Sequence, residues 1–322
     1  MPKKPIPPQK PAGGPKRQRS ILELDRFSEA SLHKWEALSD DLNRLEDVLY
    51  FSLEPARRQK RQELIAALQS QTAVNVELTN WVRIVTYQYS NEPLSSAGSL
   101  HGYGQRFNAG VELDANTMSP WPALYLAEDH STAFREKFQL EHDGQVDGLS
   151  AQELALETGI SHVTVFLRGH VEGIFDMTSH EKLDTVAKVL GRIKLPEEAR
   201  RIMKRLKIAN KDLLMVKTGK QLHDLVTRKN WRVKPVQFGL PAEGHIIAEL
   251  VRLAGFAGIL YQSTKGTGRC LALFPQQLGN GSSVELRDAP PPGVRYPRLS
   301  SDTADELAGW DALPAHERAR QK

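Results

Sequence analysis

Glu136 lies in the stretch PWPALYLAEDHSTAFREKF, residues 120–138, between Arg135 and Lys137. The stretch reads as a short strand, Ala123 to Ala127, a polar turn over 128–131, and a helix that Asp129 or Ser131 can cap. At about 100° per residue, Phe134 and Phe138 share one side of that helix. Ala133, Glu136 and Leu140 share another, so Glu136 borders a stripe of small residues suited to packing on a sheet. Two readings stand side by side: a solvated helix acid, or a carboxylate beside a cleft. Arg83, in NWVRIV, poses a similar choice. A cation amid an apolar strand is costly to bury without a partner. It is either a rim arginine paired with a carboxylate, or a planar fork aimed at a phosphate or carboxylate in a cleft. Alternation puts Trp81, Arg83 and Val85 on one face.

Arg106 sits in HGYGQRFNAG, residues 101–110. Gly102 and Gly104 allow close backbone approach, but the third glycine of a dinucleotide fingerprint is absent. KGTGRC, residues 265–270, fails the phosphate-loop pattern as well, so a glycine-rich turn is the plainer reading of both. Ser263 directly follows the apolar run Gly258 to Tyr261, and strand ends commonly reach pockets. It lacks the G-x-S-x-G elbow of a hydrolase nucleophile, and a simple turn serine explains it equally well. His162, His170 and His180 are scattered over strand and turn, and H-E-x-x-H does not occur. His245 begins a helix. No metal centre is expected.

The elements that must position these residues form an uneven series. From Ile21 to about Ser70 the texture is helical, with Leu38, Leu42, Leu45 and Leu49 spaced by four, three and four. Pro55 should divide that region, with Arg57 to Leu68 a second helix. VELTNWVRIVTY reads as a strand, and a Gly/Ser-rich loop follows from 95 to 110. SHVTVFLRGHV is another strand, with Val163, Val165 and Leu167 on one face, ended by a turn at GIFDMTSH. Residues 181–230 are mostly helical, broken by Pro196, and Pro235 marks their exit. EGHIIAELVRLAGFAGILYQST gives a helix, a glycine turn and a strand. RCLALFPQQL is a last buried strand, and after Glu285 the Pro-rich chain should trail over the surface. Strands and helices interleave without a regular βαβα rhythm, so the fold class is α+β with a mixed or antiparallel sheet.

The chain has 322 residues, 40% hydrophobic and 25% charged, as globular domains do. No apolar run approaches the roughly 20 residues that span a bilayer, and no secretory leader is expected. One cysteine, Cys270, precludes an internal disulfide and a Cys-rich zinc site and fits a reducing, cytoplasmic setting. Net charge is +4, yet Lys3, Lys4, Lys10, Lys16, Arg17 and Arg19 fall within 1–20 with no acid, leaving the rest near −2. That basic, Pro-rich arm is expected to be disordered. A solvated arm is the main reading, and contact with nucleic acid or an acidic partner the lesser one.

Five segments, in order, resemble the RES domain family, named for an Arg, a Glu and a Ser. WVRIV matches its opening strand at Arg83, GQRFN its Gly-Arg-aromatic-Asn element at Arg106, and ALYLAEDHSTAFREKF its strand and glutamate helix at Tyr125 and Glu136. FDMTSHEKL is similar to its Asp-containing turn, and GFAGILYQSTKGTGRCLALFP to its closing segment at Ser263. The likeness covers roughly 78–287. It implies a core like that of diphtheria-toxin-type ADP-ribosyltransferases and cleavage of NAD+ at the nicotinamide–ribose bond by phosphorolysis or hydrolysis. It further implies a bacterial toxin that depletes NAD+ and is partnered by a helix-turn-helix antitoxin. Glu136 would stabilise the ribosyl cation, and Arg83 and Arg106 would hold pyrophosphate or incoming phosphate. Tyr125 would stack on nicotinamide or ribose, and Ser263 would orient the substrate. No metal or further cofactor is implied, with NAD+ the substrate and inorganic phosphate a candidate co-substrate. Some family members modify a protein instead, so a protein ADP-ribosyltransferase stays open. So does a non-catalytic nucleic-acid or protein-binding module built on the arm and first helices. The expected organisation is a basic arm (1–20), a helical region (21–74), a catalytic domain (75–290) with a helical insertion at 181–230, and a tail (291–322).

Overall fold

The computed structural model describes residues 29–114, 116–140, 145–146, 149–150, 161–208 and 215–309. The basic arm and the last residues of the expected tail lie outside them. The helices are α1 (Glu29–Gln59), α2 (Arg61–Gln69), α3 (His130–Phe138), α4 (Asp184–Leu190), α5 (Glu197–Leu206), α6 (Gly219–Val226), α7 (Val233–Phe238), α8 (Glu243–Leu253) and α9 (Ala304–Ala308). The chain divides into two compact units: residues 1–52 with 195–213, and residues 53–194 with 214–322. These boundaries differ from the expected ones at 74 and 290, because α2 and residues 298–308 pack into the cores of the second unit.

In the first unit, Leu45 packs with Ala199, Ile202 and Met203 of α5, and Val48 and Leu49 lie against them. Only the second half of the leucine stripe is covered, since Leu38 and Leu42 are exposed. α1 runs through Pro55, where a break was expected, and pauses at Lys60 instead.

The second unit is built on a seven-stranded sheet: β1 (Val74–Thr86), β4 (Leu124–Ala127), β7 (His162–Asp176), β8 (Gly258–Gln262), β9 (Arg269–Leu273), β10 (Ser283–Leu286) and β11 (Arg298–Ser300). Two short hairpins, β2–β3 (104–105 with 108–109) and β5–β6 (145–146 with 149–150), stand apart. Only β7–β8 is parallel; the other pairings are antiparallel. The expected α+β class with a mainly antiparallel sheet is what the chain adopts. β1 pairs along its length with β7 and meets β4 at Val82 opposite Ala127, so β1, β4, β9, β8 and β7 close a ring of pairings.

β7 continues to Asp176, into the GIFDMTSH stretch expected to end it in a turn. Gly173 has φ +73 and sits where the β1 register shifts between Val74 and Val76, a bulge that a side chain would strain. Beyond Glu285 the chain does not merely trail. β11 pairs with β10, and Leu299, Ala304 and Leu307 are buried against β1, β7 and β9 residues. The hydrophobic spacing there is too short to announce itself before the partner strand is known.

β1 serves two cores. Val76, Leu78 and Trp81 belong to one, Val82 and Ile84 to the other. Asn80, at φ +61, is an extra residue between the pairs Thr79–Arg168 and Trp81–Leu167. Since successive side chains alternate faces, that bulge exchanges which parity points each way.

Candidate active site

α3 begins on Asp129, whose Oδ1 accepts the Thr132 backbone N–H at 2.8 Å, a side-chain cap. Two turns on, Glu136 Oε1 accepts the Ser263 hydroxyl at 2.6 Å and the Thr264 N–H at 3.2 Å. The direction of the serine bond follows from its other partners. Ser263 Oγ accepts from Lys265 N–H at 3.0 Å and Gly266 N–H at 2.8 Å, so its own proton goes to the carboxylate. No described residue bonds Oε2, which leaves that oxygen for a ligand.

Glu136 lines a cleft of about 370 Å³, within the range of small-molecule pockets. Arg83, Arg106 and Tyr125 line it too, as do Lys137, Trp231, Arg232 and Tyr261. The cleft wall includes residues on either side of the Val82–Ala127 contact, where β1 meets β4. Ser263 is not part of that wall. It is buried behind Glu136 and acts on the carboxylate rather than directly on the cleft, unlike the substrate-orienting role the resemblance implies.

Arg83 donates from Nη2 to the Ser95 carbonyl at 2.8 Å, while its buried Nε has no partner. No carboxylate among the described residues forms an ion pair with it, and burial pulls its pKa down to about 10. Of the two readings open in the sequence, the rim arginine paired with an acid is not seen among the described residues. Arg106 is buried, and three of its hydrogen bonds go to protein. Nη1 reaches Val226 O at 3.1 Å and Arg228 O at 2.8 Å; Nη2 reaches Thr264 Oγ1 at 3.2 Å. Burial lowers its pKa, and nearby Tyr261 and Glu136 oppose the shift. Tyr125 donates to Asn108 Oδ1 at 2.9 Å and accepts from Phe107 N–H at 3.0 Å, and burial raises its phenol pKa. Its hydroxyl is therefore engaged by protein, and its ring is what remains for a ligand.

Two cations at the cleft escaped sequence reasoning. Lys137, next in chain to Glu136, reaches Thr86 Oγ1 at 3.2 Å; burial lowers its pKa and neighbouring Arg83 adds to the shift. Arg232 stacks on Trp231 at 4.6 Å and donates to Gln139 Oε1 and Gln105 Oε1, each at 3.2 Å. Nothing in the sequence near 232 distinguishes it, because its partners come from 93 and 127 residues away. His245, read as a helix start, is fully buried. Its Nε2 donates to the Gln105 carbonyl at 2.8 Å and its Nδ1 accepts from Ala242 N–H at 3.2 Å, so the ring is neutral, with burial pulling its pKa to about 4. Among the described residues no cluster of three His, Cys, Asp or Glu could hold a metal ion, and no helix is long and apolar enough to cross a membrane.

A carboxylate steadied by a hydroxyl and an amide is set among guanidiniums and phenols in one cleft, an arrangement suited to positive charge on an anionic ligand. The chain matches the RES domain over residues 80–298 and belongs to that family. Among solved structures it is similar to the M. tuberculosis MbcT–MbcA toxin–antitoxin complex, at 14% identity and a TM-score of 0.39, with 76% of this chain and 96% of that chain covered. No curated protein matches.

Proposed function

We propose that this protein cleaves the nicotinamide–ribose bond of NAD+. The observation that carries the reading is Glu136, its Oε1 held by Ser263 and Thr264 at the wall of a cleft that also carries Arg83, Arg106 and Arg232. Nicotinamide is a cationic substituent that departs neutral, taking the C1′–N bonding pair. The ribose then resembles an oxocarbenium ion, as in glycoside cleavage. A fixed carboxylate beside C1′ would stabilise that charge without reorganising, and Oε2, which no described residue bonds, would accept a ribose hydroxyl. The guanidiniums suit the pyrophosphate or an incoming phosphate. An oxygen of phosphate or water then bonds to C1′; with water, a proton leaves to solvent. We read the mixed sheet as the platform of an ADP-ribosyltransferase-like core.

Family membership further supports a cytoplasmic bacterial toxin that depletes NAD+ and is restrained by a helix-turn-helix antitoxin. Purified protein should consume NAD+, with the product distinguishing phosphate from water as acceptor when phosphate is added or omitted. Removing the organising charge should cost on the order of 10²–10³ in rate. Equal, slow NAD+ loss by wild type and Glu136→Ala would sink the reading. With labelled NAD+, label retained on a macromolecule instead of free product identifies a protein ADP-ribosyltransferase. Co-expression with the neighbouring reading frame tests the toxin role: growth arrest should occur without it and be relieved with it.

A further inference from the structure

The segment 263–268 that presents Ser263 to Glu136 is gripped twice by α3. Its near end is held through Glu136 Oε1, which accepts from Ser263 Oγ and Thr264 N. Its far end is held through Thr132, four residues earlier and therefore one turn away on the same helix face. Thr132 Oγ1 accepts the Gly268 N–H at 3.0 Å and donates its own proton to Asp129 Oδ2 at 2.7 Å. Thr132 is 1% exposed and does not line the cleft. The approach is close enough to demand glycine. A Cβ on Gly266 or on Gly268 would stand 2.7 Å from Thr132 Oγ1, nearer than packing allows. The segment also closes on itself, with Ser263 N–H donating to Gly268 O at 3.1 Å. Displacement at Gly268 is thereby passed to Ser263.

We infer that Thr132 is a positioning residue: through Gly268 it fixes the 263–268 segment, and so sets the Ser263–Glu136 bond that aims the carboxylate. This rests on the proposed NAD+ cleavage for its catalytic readout, but not for its structural one. Valine at 132 keeps the volume and removes both hydrogen bonds; serine keeps the hydroxyl.

Thr132→Val should lower kcat about 10-fold or more while leaving KM for NAD+ near wild type, since small misplacements of a reacting group are costly. Thr132→Ser should restore most of the rate. In a Ser263→Ala background, Thr132→Val should add little, because the bond it sets is already gone. Hydrogen exchange supplies the second measure: amides 264–268 should exchange faster in Thr132→Val than in Thr132→Ser or wild type. A Thr132→Val protein with wild-type kcat and unchanged exchange at 264–268 overturns the inference. So does a full multiplicative loss in the Ser263→Ala background. If wild type proves inactive on NAD+, the proposed function fails while exchange alone decides the positioning role.

Discussion

Glu136 and Arg83 face the same cleft, yet the protein surrounds them differently. The carboxylate is held by a hydroxyl whose own lone pairs are occupied by two amides, and by a third amide directly. The guanidinium has one carbonyl, an Nε with no partner and, among the described residues, no acid to neutralise it. One group is fixed before a ligand arrives; the other carries an uncompensated charge that an anion would relieve. Preorganisation belongs where charge develops during reaction, and latent charge where a ligand must be drawn in. Arg106 falls between the two, with three of its bonds on the scaffold.

The sharpest way to break this contrast is Glu136→Gln, which preserves shape and removes charge. It should lower kcat by about 10²–10³ with little change in folding, and an unchanged kcat would deny the acid any catalytic part. Next in size is a pH effect on the frame behind the cationic side. His245 has its pKa lowered by burial from its usual 6.5 to about 4. Between those values the unfolded chain takes up a proton that the folded chain refuses, so stability falls as pH drops through this window and levels off below it. The full span is on the order of 3 kcal/mol. Urea midpoints of wild type and His245→Gln should therefore converge between pH 7 and pH 5. Arg83→Met tests the latent charge. KM for NAD+ should rise about 10-fold, while the free protein unfolds no earlier, because replacing a half-buried cation that lacks an ion-pair partner among the described residues by an apolar chain leaves no charge to desolvate. A fall in melting temperature without a change in KM would make Arg83 structural. Tyr125→Phe should give the smallest loss, a few-fold in rate, from leaving Phe107 N–H without its acceptor and Asn108 Oδ1 with only the Gln105 N–H.

Much of the cleft was readable before the fold. The strand over 124–127, its capped helix and the serine after β8 follow from apolar runs, an Asp cap and local turn residues. Those signals lie within a dozen residues of the side chains they place. Ser263 was found, but not its route of action, since the direction of a hydroxyl depends on amides folded around it. Arg232 and the depth of His245 were not legible, because their partners come from separate parts of the chain. β11 and α9 were missed for a related reason: Pro-rich, short segments become strand and helix only when β10 offers an edge. Residues 1–20, on which the binding-module alternative leans, lie outside the described chain.

Asn80 carries a consequence for how such a protein can vary. Because this one unpaired position decides whether Trp81 and Arg83 continue the side of Val76 and Leu78 or take the opposite one, chain length upstream matters more than chemistry there. Point changes at exposed Asn75 or Glu77 leave the count intact. Dropping one residue would turn Arg83 away from the cleft and drive an indole and two aliphatics into each other's places. Natural variants are thus expected to substitute freely across this stretch and to tolerate neither insertion nor deletion.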